Sequence, residues 1–216
     1  METSTTLLGM LAFRREHAAA LRAGCCRSSN GLVTSISRPP LEKTTEELVN
    51  INWSVLVPGP GGVPIPTYGN YGGPGYSDGE VLSSPDQPVD YSAPPVDPLD
   101  ALFRFHDKAY DSPSTLVRAE GDLALIQGIE GLSLGPLSPE QSLYAGTAIV
   151  FGIQQLALVN GHPELLSQSQ LLAAANTAVH DIQYGLSHLE PADAAGLRAW
   201  LAASGSAASA DLLPFG

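Results

Sequence analysis

A mainly α-helical fold is predicted by three features of this 216-residue chain. From Leu99 onward apolar residues recur at helical spacing, with Leu99, Leu102, Phe103, His106 and Tyr110 at i, i+3, i+4, i+7 and i+11 on one face. Prolines at 139, 163 and 191 stand where further helical stretches begin, and Pro113 stands where the first must stop. Glycine and proline concentrate upstream instead: ten of the eighteen prolines and eight of the twenty-two glycines lie between Pro58 and Pro98, which excludes regular helix there.

Taken in order, residues 1 to 40 are rich in Ser, Thr, Arg and Ala, with arginines at 14, 15, 22, 27 and 38 and two glutamates. That composition fits an organellar transit peptide or a poorly ordered N-terminus. The apolar stretch Leu7 to Phe13 is short and its positive charges follow it, the wrong order for a secretory signal. Residues 41 to 50 suit a short amphipathic helix capped by Thr44 or Thr45, and Ile51 to Val57 an extended apolar strand. Residues 58 to 98 read as an ordered loop region. A first helix then runs from Leu99 to Pro113, a second from Ser114 to Ile129, a third from Pro139 to Asn160 with Gly161 as its exit, a fourth from Pro163 to Leu189, and a fifth from Pro191 to Ala203. Four parts result: an N-terminal segment 1–40, a core 41–135, a helical extension 136–204 packed on it, and a flexible tail 205–216. In the extension, Leu165, Leu166, Leu171, Leu172, Val179, Ile182 and Leu186 are expected to pack inward. The alternative is a lipid- or partner-binding face, with Trp200 as its large interfacial residue.

The chain is long enough to bury a core, is 44% hydrophobic and 15% charged, and holds no run of about 18 apolar residues, so a soluble protein without a transmembrane span is expected. Its net charge of −12 divides into +3 over residues 1–40 (five arginines, two glutamates) and −15 over the rest (five basic, twenty acidic residues). So acidic a body repels phosphates, and nucleic acid is excluded as a partner. The two cysteines, Cys25 and Cys26, are neighbours and build no disulfide framework. This suits a reducing compartment without excluding export, and the compartment stays unassigned.

Two motifs carry chemistry. Residues 68–75 read Tyr-Gly-Asn-Tyr-Gly-Gly-Pro-Gly, a loop whose glycines let backbone carbonyls bend round a hard cation such as calcium. Neutral carbonyls hold calcium weakly, so a carboxylate is expected opposite, and Asp107 is the candidate. His106 lies about 100° round the helix from it and can flank the same cleft. A neutral imidazole takes a proton from water when an acid on its other nitrogen fixes the tautomer. A His-Asp pair alone on a helix is ordinarily structural. The pair joined to Tyr110, Asp100 and an upstream glycine loop points to calcium-assisted ester hydrolysis.

These residues resemble the phospholipase A2 superfamily, whose signatures are a loop Tyr-Gly-x-Tyr-x-Gly-x-Gly and a helix Asp-x-x-x-x-x-His-Asp-x-x-Tyr. Both occur here in order, and the resemblance covers roughly residues 68–130. It implies an antiparallel helix pair beside a calcium loop, a Ca2+ cofactor, and hydrolysis of the sn-2 acyl ester of glycerophospholipids at a membrane or micelle surface. It further implies calcium carbonyls from Tyr71, Gly73 and Gly75, a carboxylate from Asp107, His106 as base, Tyr110 bonded to the dyad acid, and the Gly73 N–H as oxyanion donor. Where disulfide-bonded members place cysteines, this chain has Asn70, Gly72, Leu102, Phe103 and Ala109. In this it looks like the cysteine-free type found in parvovirus capsid proteins.

The dyad acid must come from the second helix. Asp122 suits the capsid-type pattern, and Gly121 facing Ala109 would be a small-small contact where other members pair cysteines. Glu120 competes, because a tight turn at Pro113 brings residue 119 or 120 opposite His106. The segment 76–94, with Asp78, Glu80, Asp86 and Asp90, reads as an inserted solvated loop or a lid. His17, His162, His180 and His188 have no such context and read as satisfied or exposed. The rival functional reading is a non-catalytic calcium- or lipid-binding protein on the same scaffold.

Overall fold

A computed structural model describes residues 51–59, 64–84 and 87–204. The chain divides into units 1–46 and 47–216, and every described residue belongs to the second. The expected N-terminal segment, the short helix at 41–50, Cys25, Cys26, His17, Asp86 and the tail 205–216 lie outside the described residues.

The described chain is mainly α, as the periodicity predicts. A strand β1 (Ile51–Pro58) pairs antiparallel with β2 (Pro64–Tyr68), Ile51 opposite Tyr68 and Pro58 opposite Pro64. Its register shifts between Asn52 and Leu56, where the Asn52 side chain accepts the backbone N–H of Ser54 and Val55 at 3.0 and 3.2 Å and bends the strand locally. Two further pairs form a small hairpin, β3 (Tyr76–Ser77) with β4 (Glu80–Val81). The helices are α1 (Pro98–Tyr110), α2 (Thr115–Leu132), α3 (Pro139–Gln154), α4 (Gln168–His188) and α5 (Pro191–Ala203).

Each helix start has a local cause. Asp97 caps α1 by accepting the Asp100 N–H at 2.8 Å, with Pro98 in the first turn. Ser114 caps α2. Ser138 with Gln141, and Ser167 with Gln170, form reciprocal capping boxes at α3 and α4. That box is why α4 starts at Gln168 and not at Pro163, which instead opens a 3-10 turn, Pro163–Leu165. The third helix also departs from expectation. After Gln154 it widens into a π-helical turn, Gln155–Val159, before Gly161 leaves at φ 75°.

The core joins β1, β2, the first four helices and the π turn: Ile51 and Tyr68 from the strands, Leu99 and Phe103 from α1, Ile126 and Ile129 from α2, Ile149 from α3, Ala174 and Ala178 from α4 and Leu156 from the π turn are all buried. The extension therefore shares one core with the first two helices. Its expected packing face is wrong for α4. Leu171, Leu172, Val179 and Leu186 are exposed, whereas Ala174, Ala178, Asp181 and Gly185 are buried and Ile182, Leu165 and Leu166 partly so. The reason is close approach. A Cβ at Gly146 would stand 2.7 Å from the Ala178 carbonyl, and one at Gly185 2.7 Å from the Leu143 backbone, so only small residues fit between α3 and α4.

Pro139–Val159 is one helical stretch long and apolar enough, by length and composition, to cross a membrane, with half of it buried inside this fold.

Candidate active site

The glycine loop continues directly from β2. Tyr68 and Gly72 exchange both backbone hydrogen bonds, at 2.8 and 2.7 Å, closing residues 68–72 into a tight turn. Gly69 occupies the left-handed region at φ 53°, and a Cβ there would fall 2.4 Å from the Asp100 carboxyl carbon. The loop thus lies directly on α1. Asp100, fully buried, accepts the N–H of Asn70 at 3.0 Å, of Tyr71 at 2.9 Å and of Val96 at 2.9 Å. Burial pushes its carboxyl above the usual carboxylate range, opposed by those three N–H groups. The Tyr68 hydroxyl donates to Asp97, a second tie between loop and helix.

Three contacts give the packing of α1 on α2. Leu102 meets Gly128, Ala109 meets Gly121, and His106 meets Asp122, so sequence numbers fall along one helix as they rise along the other: the pair is antiparallel. A Cβ at Gly121 would lie 2.5 Å from the Ala109 Cβ, which is the small-small contact expected from sequence. Residues 111–114 take up the turn, and Asp122, not Glu120, is the acid that reaches the imidazole.

His106 Nε2 lies 2.8 Å from Asp122 Oδ1. Asp122 is wholly buried and is surrounded by donors: the Tyr110 hydroxyl reaches Oδ1 at 3.0 Å and Asn160 Nδ2 reaches Oδ2 at 2.7 Å. A carboxylate can be buried only when its lone pairs are met, and here they are. The tautomer that satisfies this arrangement places the imidazole proton on Nε2, leaving the lone pair on Nδ1. That nitrogen faces Asp107, 3.8 Å from Oδ1, beyond hydrogen-bonding distance. Burial pulls the His106 pKa down, but the carboxylates of Asp107 and Asp122 outweigh it and hold it above the ordinary histidine value.

Asp107 is mostly buried, and desolvation raises its carboxyl pKa against the lowering effect of His106 and of Ser77, whose hydroxyl donates to Oδ2 at 2.7 Å. No lysine or arginine pairs with it among the described residues. The donors that the resemblance assigns to a cation are all oxygens: the Asp107 carboxylate and the carbonyls of Tyr71, Gly73 and Gly75. Gly73 and Gly75 sit at φ 142° and 66°, and their carbonyls already accept the N–H of Tyr76 and Leu82 at 3.1 and 2.8 Å, each keeping a second lone pair. Among the described residues no group of three or more His, Cys, Asp or Glu could hold a metal, so a cation would depend on backbone carbonyls. A single carboxylate with neutral carbonyls fits a hard cation and does not fit a soft one.

The segment 76–94 is less of a solvated loop than its sequence suggests. Tyr76, Ser77 and Tyr91 are buried, and Asp78 accepts the Tyr71 hydroxyl at 2.9 Å and the Ala93 N–H at 2.6 Å. Tyr91 donates to Asp111 at 2.9 Å, while Glu80 and Asp90 remain exposed. The segment thus props the loop from outside. Three participants were not expected from sequence: Ser77, Asn160 and Asp100 as a loop anchor. His180 and His188 bond locally, to Asp181 and the Tyr184 carbonyl, while His162 meets Glu164 at 2.9 Å and the Thr115 hydroxyl at 3.3 Å, and none of the three bonds to the His106 centre. A cleft of about 270 Å³ lined by Glu130, Ser133, Asn176, His180 and Asp181 shares no residue with the His106 centre.

Compared with known proteins, the chain matches no family model, no curated protein and no solved structure.

Proposed function

We propose that this protein is a calcium-dependent, phospholipase A2-like hydrolase of the sn-2 acyl ester of glycerophospholipids. The carrying observation is the His106–Asp122 pair: an imidazole bonded through Nε2 to a buried, three-fold hydrogen-bonded carboxylate, with Nδ1 facing Asp107. The phospholipase A2-like pairing of α1 with α2 and the reading of residues 68–75 as a calcium loop belong to this proposal. They are supported by the match of both motifs and by the Asp100 tie between them.

In this reading His106 Nδ1 takes the proton from a water molecule as that water attacks the ester carbonyl. Asp122 stabilises the imidazolium through Nε2, and Tyr110 holds Asp122. The Gly73 N–H meets the developing oxyanion. Calcium, held by Asp107 and the carbonyls of Tyr71, Gly73 and Gly75, would polarise the ester carbonyl and neutralise the substrate phosphate. Collapse of the tetrahedral intermediate expels the sn-2 alkoxide, which regains a proton from the His106 imidazolium. The acidic body favours zwitterionic or aggregated lipid over a strongly anionic membrane.

The test is fatty-acid release from a fluorescent phosphatidylcholine, with calcium or with chelator, by wild type and His106→Asn. Release specific to the sn-2 chain is expected with calcium, abolished by chelator and lowered roughly 10²–10⁴-fold in the variant. Equal rates in every arm would leave a protein that holds calcium or lipid without turnover.

A further inference from the structure

Asn160 stands thirty-eight residues beyond Asp122, at the far end of the third helix, yet its side chain lies in the His106 centre. It is buried, and its amide nitrogen makes two bonds, to Asp122 Oδ2 at 2.7 Å and to the Tyr110 hydroxyl oxygen at 3.0 Å. Because the Tyr110 oxygen accepts from Asn160, its own hydrogen is left to donate to Asp122 Oδ1 at 3.0 Å. The three side chains close a ring of hydrogen bonds round the carboxylate. The Asn160 carbonyl oxygen has no partner among the described residues, an uncompensated burial that the opposite amide orientation would exchange for a carbonyl pressed on a carboxylate. The amide is therefore placed for its two N–H bonds.

The backbone explains how it gets there. An α-helical turn continued past Gln154 would give N–H bonds to the fourth preceding carbonyl, but Asn160 donates its N–H to Gln155, five residues back, at 2.8 Å. This wider turn also buries Leu156 completely and brings Gln155 Oε1 to 3.4 Å from the Tyr110 hydroxyl. His162 then closes the end of the helix on the Leu156 carbonyl at 3.0 Å. π turns inside helices commonly serve such placement.

We infer that Asn160 is a positioning residue, which fixes Asp122 and Tyr110 so that Asp122 Oδ1 faces His106, and that the helical extension is thereby a working part of the centre. Its kinetic consequence rests on the hydrolase reading above; its structural consequence does not.

The experiment compares wild type, the near-isosteric Asn160→Leu, the amide-retaining Asn160→Gln and, as a control on the same turn, Val159→Ala, whose parent side chain is exposed. Two readouts are taken in the full chain: kcat and KM on a short-chain phosphatidylcholine below its micellar concentration with calcium, and the far-downfield proton resonance of His106 Nε2–H. Asn160→Leu should lower kcat roughly 10- to 100-fold with KM little changed, and should shift or broaden that resonance, while thermal unfolding stays cooperative. Asn160→Gln should recover part of both, and Val159→Ala should match wild type. An unchanged resonance in Asn160→Leu overturns the inference, as does an unchanged kcat in an active enzyme. If wild type releases no fatty acid, the hydrolase reading falls and the resonance alone decides on Asn160. If Asn160→Leu does not fold, Asn160→Ala is read in the same way.

Discussion

The Asp100 carboxylate, in the first turn of α1, accepts the backbone N–H of Tyr71 at 2.9 Å and so fastens the glycine loop to the helix that carries His106. With Asn70 and Val96 it gathers three N–H groups from two separate loop segments. A helix and a loop that approach through backbone need a small, multivalent acceptor, and a buried carboxylate facing Gly69 provides one.

Removing that acceptor strands donors in a buried place. Asp100→Ala should destabilise the protein by several kcal/mol, from about 1–3 kcal/mol for each buried group left unmet. Asp100→Asn should cost less but still lower stability, because its amide NH2 meets backbone N–H groups. Urea unfolding with a tryptophan signal reads this directly, and hydrogen exchange should speed most at the Asn70 and Tyr71 amides. A loss confined to α1, with the loop amides unaffected, would contradict the role given to Asp100.

Much of the centre was legible because its signals are local. His106, Asp107 and Tyr110 share one helix, and Gly121 beside Asp122 marks close approach to Ala109, which chooses Asp122 over Glu120. Asn160 was not legible, since a single polar residue before Gly161 reads equally well as a helix exit, and its partner is distant in sequence. The face of α4 was misread for another reason. Hydrophobicity marks which side chains favour burial, whereas Gly146, Ala178 and Gly185 set which face a neighbouring backbone can reach, and here proximity prevailed over the leucines. The segment 76–94 looked solvated by composition, yet Tyr76 and Tyr91 are long enough to bury their rings and keep their hydroxyls bonded, at 3.2 Å to the Gly69 carbonyl and 2.9 Å to Asp111.

The Ala109–Gly121 contact should behave as a matched pair. Gly121→Ala alone places a methyl 2.5 Å from the Ala109 Cβ, and overpacking of this kind costs typically about 1–3 kcal/mol. Separating the helices there also moves Asp122 from His106, so any esterase activity should fall further than stability alone requires. Ala109→Gly in the same chain removes the clash and should restore most of the melting temperature, because the glycine introduced into α1 is offset by the one removed from α2, each worth roughly 1 kcal/mol of helix propensity. Simple addition of the two single effects would show that the helices do not meet through these residues.

On the proposed reading, calcium and the His106 proton compete through Asp107. Burial lowers the His106 pKa, and the two carboxylates raise it by more, leaving it above the ordinary histidine value in the metal-free chain. A cation on Asp107 cancels the contribution of that carboxylate and adds a repulsion, so the pKa falls and His106 becomes a free base at lower pH. By reciprocity, calcium must bind more tightly as the pH rises through the His106 pKa of the metal-free chain, with the gain fading once the imidazole is neutral. The His106 ring-proton titration followed by NMR, with and without calcium, measures the shift, and calorimetry across the same pH range measures its counterpart. Asp107→Asn should remove the raising contribution and the calcium response together. A His106 titration indifferent to calcium in wild type would mean that Asp107 holds no cation, and the calcium-dependent reading would fall with it.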